Sequence, residues 1–100
     1  MTEIRITTLV WDKWNIEHIA RHDVLPAEVE QICHGLHTSL TGKKGRVLIV
    51  GLTKNSRMIT AALDREDEEG VYYPVTARSS SRKERRLFKQ MQRKGGEEAA

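Results

Sequence analysis

Cysteine is nearly absent from this chain, since its 100 residues include only Cys33. One thiol cannot close an internal disulfide, which fits a reducing compartment, and we expect a cytoplasmic protein. Long apolar runs are also lacking, because no stretch approaches the ~18 residues that a membrane-spanning helix requires. We therefore expect no membrane association. The first ten residues alternate and include Glu3 and Arg5, which is not the pattern of a signal peptide.

Motifs for nucleotide and acyl chemistry are missing as well. The chain has no P-loop, no GxGxxG and no nucleophile elbow, which argues against the enzyme classes that depend on them. Cys33 recurs with Val29, Ile32 and Leu36 at helical spacing, so we interpret it as a buried packing residue rather than an activated thiol. The small size predicts one domain without elaborate cofactor machinery, and we expect no cofactor.

Four histidines raise the question of a metal site. His18 and His22 are four residues apart on one predicted helix, and Cys33, His34 and His37 follow. The stretch HIARH lacks the glutamate after its first histidine that the zinc-protease motif requires. The second group straddles a predicted helix end, so its side chains need not converge. We expect no metal and interpret His22 as a candidate proton shuttle.

The formal net charge of +3 is unevenly distributed. Residues 43–57 carry five basic side chains and no acid, and residues 70–94 carry eight basic side chains against one glutamate. The acidic stretch DREDEE at 64–69 separates the two segments. If the fold brings the basic segments together, they form a face that binds a polyanion. The alternative is an ordinary solvated surface.

Hydrophobic periodicity predicts a small α+β domain: a strand, two helices, an antiparallel meander and a last helix. Pro74 cannot donate a ladder hydrogen bond, so its strand is expected at an edge or with a bulge. We expect one domain over residues 1–93 and a flexible tail over residues 94–100. The predicted ranges are strands at 3–10, 37–41, 46–53, 57–63 and 71–77, and helices at 13–22, from Pro26 to Gly35, and from Ser81 onward.

Local signals mark the helix ends. Asp12 is a predicted N-cap, and Asp23 ends the first helix where glycine or asparagine is more usual. That helix should bury a stripe of Ile16, Ile19 and Ala20. Trp11 and Trp14 are expected to pack in the core and at its rim rather than to stack on bases.

The last helix begins with a capping box, Ser81 with Glu84, yet basic residues crowd its first turns. Cations are unfavourable at the positive end of a helix dipole unless an anion is bound there. Free N–H groups and the hydroxyls of Ser79, Ser80 and Ser81 therefore predict a phosphate site. Alternatively, arginine and lysine are good helix formers that keep an exposed face hydrated.

Two segments carry a family resemblance. WDKWNIEHIARHDV at 11–24 resembles the first motif of BrnT-like toxins, and VTARSSSRKERRLF at 75–88 is similar to their second. Three features depart from the family pattern: Asp23 replaces the usual glycine, the first motif is one residue shorter, and Phe88 stands where tyrosine is common. A phenyl ring cannot donate a proton as a phenol can.

The resemblance implies a RelE-like ribonuclease fold and a DNA-binding antitoxin encoded nearby. Such toxins cleave RNA without a metal, and cationic side chains stabilise the phosphorane. By position, Arg78 and Arg82 would stabilise the phosphate, with Arg57 joining them and His22 serving in acid–base work. The remaining substrate-binding candidates are Arg46, Ser81, Lys83, Arg85 and Arg86.

Three functional classes follow from the sequence. The first is a toxin-like endoribonuclease, and the second is a non-catalytic module of the same fold that binds RNA or an antitoxin. A small metal-dependent protein is the third. The sequence leaves open whether the chain forms a homo-oligomer.

Overall fold

The structure, a computed structural model, describes the backbone of residues 4–99 and the side chains of residues 4–93. Within that range the chain forms five strands and three α-helices. They are β1 (Thr8–Leu9), α1 (Lys13–Ala20), α2 (Pro26–His34), β2 (His37–Thr41), β3 (Val47–Leu52), β4 (Met58–Arg65), β5 (Val71–Ser79) and α3 (Arg82–Ala99). The predicted α+β class is confirmed. No helix in the described residues combines the length and apolar character needed to cross a membrane.

The sheet is mixed, which corrects the prediction of a purely antiparallel one. Its order is β1-β5-β4-β3-β2, and β2 to β5 form the expected antiparallel meander. β1 instead pairs in parallel with β5 and is only two residues long, against the predicted 3–10. Alternation along a strand does not encode its direction. The direction follows from the crossover through α1 and α2, which carries the chain from one sheet edge to the other.

Pro74 lies at a bulge, one of the two positions expected for it. β5 is an inner strand between β1 and β4. Its register shifts where Ala62 pairs with Thr76 and Leu63 with Pro74, so Val75 has no opposite residue. The bulge places the missing N–H of proline where the ladder is already interrupted.

The main core lies between one sheet face and the two helices α1 and α2. Cys33 is buried in it, as expected for a packing residue. Ile16 was expected in the core, but it is 39% exposed, and Ala20 is exposed as well. Asn15 is fully buried instead, because its side chain accepts from the Asp12 N–H at 2.9 Å and donates to the Val10 carbonyl at 2.9 Å. The cap therefore sets the rotation of α1.

α3 packs against the opposite sheet face, where it contacts β2 and β3. Phe88 is buried and Leu87 half-buried, while Met91 is 47% exposed. The helix backbone continues to Ala99, and Ala100 lies outside the described residues. The flexible tail at 94–100 stays a prediction.

Candidate nucleic-acid interface

Side chains of Ser81 and Glu84 cap the N-terminus of α3. The Ser81 N–H donates to Glu84 Oε1 at 2.8 Å, and the Glu84 N–H donates to Ser81 Oγ at 3.1 Å. The predicted capping box is confirmed. The Ser80 hydroxyl is buried and bonds Thr60 Oγ1 at 2.8 Å. These hydroxyls of the predicted phosphate site therefore have partners within the protein.

Glu84 also binds the arginine that was expected to face RNA phosphate. The Arg78 guanidinium donates to both carboxylate oxygens, Nη1 to Oε1 and Nη2 to Oε2, each at 2.8 Å. Thr60 Oγ1 donates a further bond at 2.9 Å. The hydrogen bonds from Arg78 and Ser81 lower the pKa of Glu84 to about 2. Glu84 is thus the anion that offsets the cations in the first turns of α3.

Further along α3, four cations form one stripe. Arg82, Arg85, Arg86 and Lys89 are exposed, and their spacing places them on one helix face around a surface depression of about 500 Å³. We call these residues the basic stripe. Among the described residues none of them forms a salt bridge. Lys83 is exposed but does not border the depression.

A groove of about 550 Å³ joins this stripe to the end of the sheet. Its floor is apolar, and cations stand at its rim. Since it shares Arg85 and Lys89 with the stripe, the two form one continuous surface. The groove is lined by Leu52, Ser56, Arg57, Met58, Ser79, Arg85, Phe88 and Lys89.

Arg57 lines this groove while it holds the turn between α1 and α2. Its Nη1 donates to the Glu28 carboxylate at 3.2 and 3.3 Å and to the Asp23 carbonyl at 2.5 Å. Its Nη2 donates to the His22 carbonyl at 3.5 Å and to Ser79 Oγ at 3.4 Å. Asp23 adopts φ +59°, the left-handed conformation that ends α1. Arg57 therefore has a structural task in addition to its place at the groove.

Two other predicted site residues lie apart from the groove. The His22 ring sits edge-on to His18 at 5.8 Å, and its side chain does not line the groove. Arg46 donates from Nε to Asp64 Oδ1 at 2.9 Å, next to the first residue of β3. The groove includes Leu52 at the last residue of β3, so Arg46 stands roughly 20 Å away along the strand.

No group of three or more metal-ligating side chains converges within the described part of the chain. His34 contacts Glu30 at 3.0 Å, and the His37 ring contacts the Gly35 carbonyl at 3.0 Å. Burial, with a smaller effect of Glu30, raises the pKa of the Cys33 thiol to about 12, so it stays protonated at neutral pH.

Sequence reasoning did not single out Lys89 on this surface, nor Glu28 behind Arg57, nor the groove-lining residues Leu52, Ser56 and Met58. Lys89 lies four residues after Arg85 and seven after Arg82, so helical spacing was a usable signal. Glu28 is the partner of Arg57 across 29 positions, and no local pattern indicates that pair.

Comparison of the chain with protein-family models and with curated proteins finds no match in either. The resemblance to BrnT-like toxins therefore rests on its two motifs, and the function has to be argued from the chemistry of the groove.

Proposed function

We propose that this protein is a toxin-like endoribonuclease of the BrnT-like family and RelE-like fold, which binds RNA along the basic stripe and the adjoining groove. It acts in the cytoplasm without a metal, and a DNA-binding antitoxin is its partner. One observation carries the proposal: the four exposed cations of the basic stripe form no salt bridge among the described residues, and two of them, Arg85 and Lys89, also border the partly apolar groove.

The chemistry of this surface suits a nucleic-acid strand. Arg82 and Lys89 are separated by about 10 Å along the helix axis, which is long enough to meet more than one phosphate. Guanidinium forks bind phosphate oxygens in a bidentate manner, and lysine adds a point charge. Leu52, which is exposed, and Met58, which is half-buried, offer apolar contact in the groove to a ribose or a base.

Cleavage on this surface would proceed through the RNA's own 2′-hydroxyl. Its oxygen attacks the adjacent phosphorus and loses its proton, and the P–O5′ bond breaks as the leaving oxygen gains one. The products are a 2′,3′-cyclic phosphate and a 5′-hydroxyl. Arg85 and Lys89, beside Arg57, supply positive charge where negative charge develops on the oxygens of the phosphorane. His22, in the turn that Arg57 holds, is the residue to test for proton transfer.

A specific observation favours the second candidate, a non-catalytic module that binds RNA or an antitoxin. The Arg78 guanidinium is already paired with the Glu84 carboxylate, so its charge is not free for a phosphate. The low pKa of Glu84 makes this carboxylate a weak base for proton transfer. Under this alternative the groove binds RNA but does not turn it over.

Incubation of purified protein with single-stranded RNA in EDTA tests the proposal. We expect cleavage that leaves 2′,3′-cyclic phosphate ends, detected by end-group analysis. Arg85→Ala should weaken RNA binding about tenfold, since a hydrogen-bonded charge pair is lost. Arg65→Ala removes the same charge from a groove of acidic residues elsewhere and should leave binding unchanged.

The outcomes separate the candidates. Binding that depends on Arg85 without any cleavage identifies the non-catalytic module. Equal effects of Arg85→Ala and Arg65→Ala would place RNA binding elsewhere and contradict the proposed surface. Intact, unbound RNA at high protein concentration would contradict both candidates.

A further inference from the structure

A row of aromatic rings lies on the exposed face of α1 and the turn that follows it. Trp14 and His18 stack with ring centroids 4.9 Å apart and an angle of 11° between their planes. His22 meets His18 edge-on at 5.8 Å. The three residues are spaced four apart, which aligns them along one side of the helix. We call them the aromatic row.

Trp14 differs from the other tryptophan of the chain. Trp11 packs against the core, and its Nε1 donates to Glu30 Oε2 at 2.8 Å. Trp14 is 56% exposed, and its indole makes no hydrogen bond among the described residues. A large aromatic side chain with a polar tip usually finds both apolar cover and a hydrogen-bond partner when the fold uses it. Trp14 therefore has surface available for a ligand.

The backbone at the end of the aromatic row contacts Arg57, which separates the row from the groove of the proposed function. The His22 carbonyl accepts from Arg57 Nη2 at 3.5 Å, and Arg57 lines the groove. From this junction the row runs about 12 Å along α1 to Trp14, at the rise of an α-helix. A strand that leaves the groove past Arg57 would meet the rings in order.

The charge beside the row is weak. Lys13, Glu17 and Arg21 are exposed at four-residue spacing next to the row, so their charges sum to only +1. The rings themselves are the feature that a ligand could use. Flat rings recognise the faces of unpaired bases, which a duplex hides inside its stack.

We infer that the aromatic row is a base-stacking platform for single-stranded RNA, with Trp14 as its outer end. This inference rests on the proposed function, because the strand is held by the groove and the basic stripe. It makes the preferred substrate single-stranded, with unpaired bases on the α1 side of Arg57.

The test measures binding of two probes by fluorescence anisotropy: a short single-stranded 2′-O-methyl RNA, and a duplex of the same length. The methyl group removes the 2′ nucleophile, so cleavage cannot obscure binding. Trp14→Ala should weaken single-strand binding about tenfold and leave duplex binding unchanged. Trp14→Phe, which retains a ring, should recover most of the affinity. Ile16→Ala is the matched control, since Ile16 is also exposed on α1.

A second measurement follows the tryptophan directly. Single-stranded RNA should quench the fluorescence of the wild-type protein, and the quenching should be lost in Trp14→Phe, which retains Trp11. Circular dichroism verifies that each variant is folded.

The possible results fall into distinct groups. A wild-type protein that binds neither probe overturns the proposed function, and this inference with it. If the wild type binds RNA but Trp14→Ala behaves like Ile16→Ala, the stacking platform is overturned and the RNA surface stands. An equal loss of single-strand and duplex affinity in Trp14→Ala also overturns stacking on unpaired bases.

Discussion

Glu84 is the residue on which the start of α3 depends. Its carboxylate accepts from Arg78 on β5, from Thr60 on β4 and from the Ser81 N–H that begins the helix. The side chain is 14% exposed, so these bonds form with little competition from water. One glutamate therefore ties a helix N-terminus to two neighbouring strands.

Acid should weaken the hydrogen bonds that Glu84 accepts, because they depend on its charged carboxylate. The pKa of Glu84 is about 2 in the folded protein, against an ordinary value of 4.5, so its stabilisation is present above pH 4.5 and lost as pH falls toward 2. The difference corresponds to about 3 kcal/mol, which the partial exposure of Arg78 reduces to about 2 kcal/mol. Urea unfolding of Glu84→Gln should show a loss of that size at neutral pH and a flatter profile below pH 4.5. Glu17→Gln, an exposed substitution on α1, is the control.

A free energy of unfolding for Glu84→Gln that falls as steeply in acid as that of the wild type would contradict this role. The acid sensitivity would then come from other carboxyl groups.

Substitution of Arg57 should lower the free energy of unfolding, whether or not RNA is present. Arg57→Ala leaves Glu28, 17% exposed, without its cation and leaves two carbonyls of the α1–α2 turn without their donor. We expect a loss of about 2 kcal/mol in chemical denaturation. Arg57→Lys keeps the charge but not the fork and should recover less than half of the loss. Weakened RNA binding with unchanged stability would show instead that Arg57 serves the ligand alone.

At the scale of elements, α2 and β3 approach each other closely at Gly51. A methyl group at Gly51 would lie 2.7 Å from Ile32 Cβ and 3.1 Å from the Leu36 carbonyl oxygen. Both contacts are with atoms that cannot rotate away. The absence of a side chain at Gly51 is therefore what lets α2 lie on the central strands.

Gly51→Ala should force α2 away from the sheet and lower the free energy of unfolding by about 2–3 kcal/mol. Gly42→Ala is the matched control, because a methyl group there would meet the end of the flexible Leu48 side chain at 3.1 and 3.2 Å. Thermal unfolding followed by circular dichroism measures both. Equal changes in the two variants would show that the α2–β3 contact adapts more readily than this packing implies.

At the scale of the whole molecule, the two basic segments of the chain lie mostly on different parts of the surface. Of the segment 43–57, Arg57 lies at the groove, whereas Lys43 and Lys44 lie in the turn before β3, at the opposite end of that strand from Leu52. The two basic segments therefore do not form one face. Three acidic residues of the segment 64–69, Glu66, Glu68 and Glu69, border a separate groove together with Arg5.

The salt dependence of RNA affinity should distinguish the basic residues at the groove from those in the turn before β3. The slope of log affinity against log salt concentration is negative, and each phosphate contact that is lost should reduce its magnitude by about 0.7 for single-stranded RNA. Arg85→Gln with Lys89→Gln should thus reduce the magnitude of the slope by about 1.4. Lys43→Gln with Lys44→Gln makes the same charge change at the far end of β3 and should leave the slope unchanged. A slope of smaller magnitude in the Lys43 and Lys44 variant would show that RNA extends across the sheet.

Much of the fold followed from local patterns. Asp12 was expected as an N-cap, Ser81 and Glu84 as a capping box, and Pro74 at an edge or a bulge; the structure has the caps and the bulge. The errors concern faces and directions. Ile16 fits a helical stripe by spacing, but burial of the Asn15 cap turns it outward.

Local patterns are enough to predict the α+β class and the order and ends of most elements, because capping bonds and hydrophobic periods involve residues only a few positions apart. They also show that α3 is strongly basic. Three features emerge only in the folded chain: β1 runs parallel to β5, Glu28 binds Arg57, and Glu84 binds Arg78. These outcomes depend on sheet order and on side chains that meet across distant positions, which no local spacing encodes.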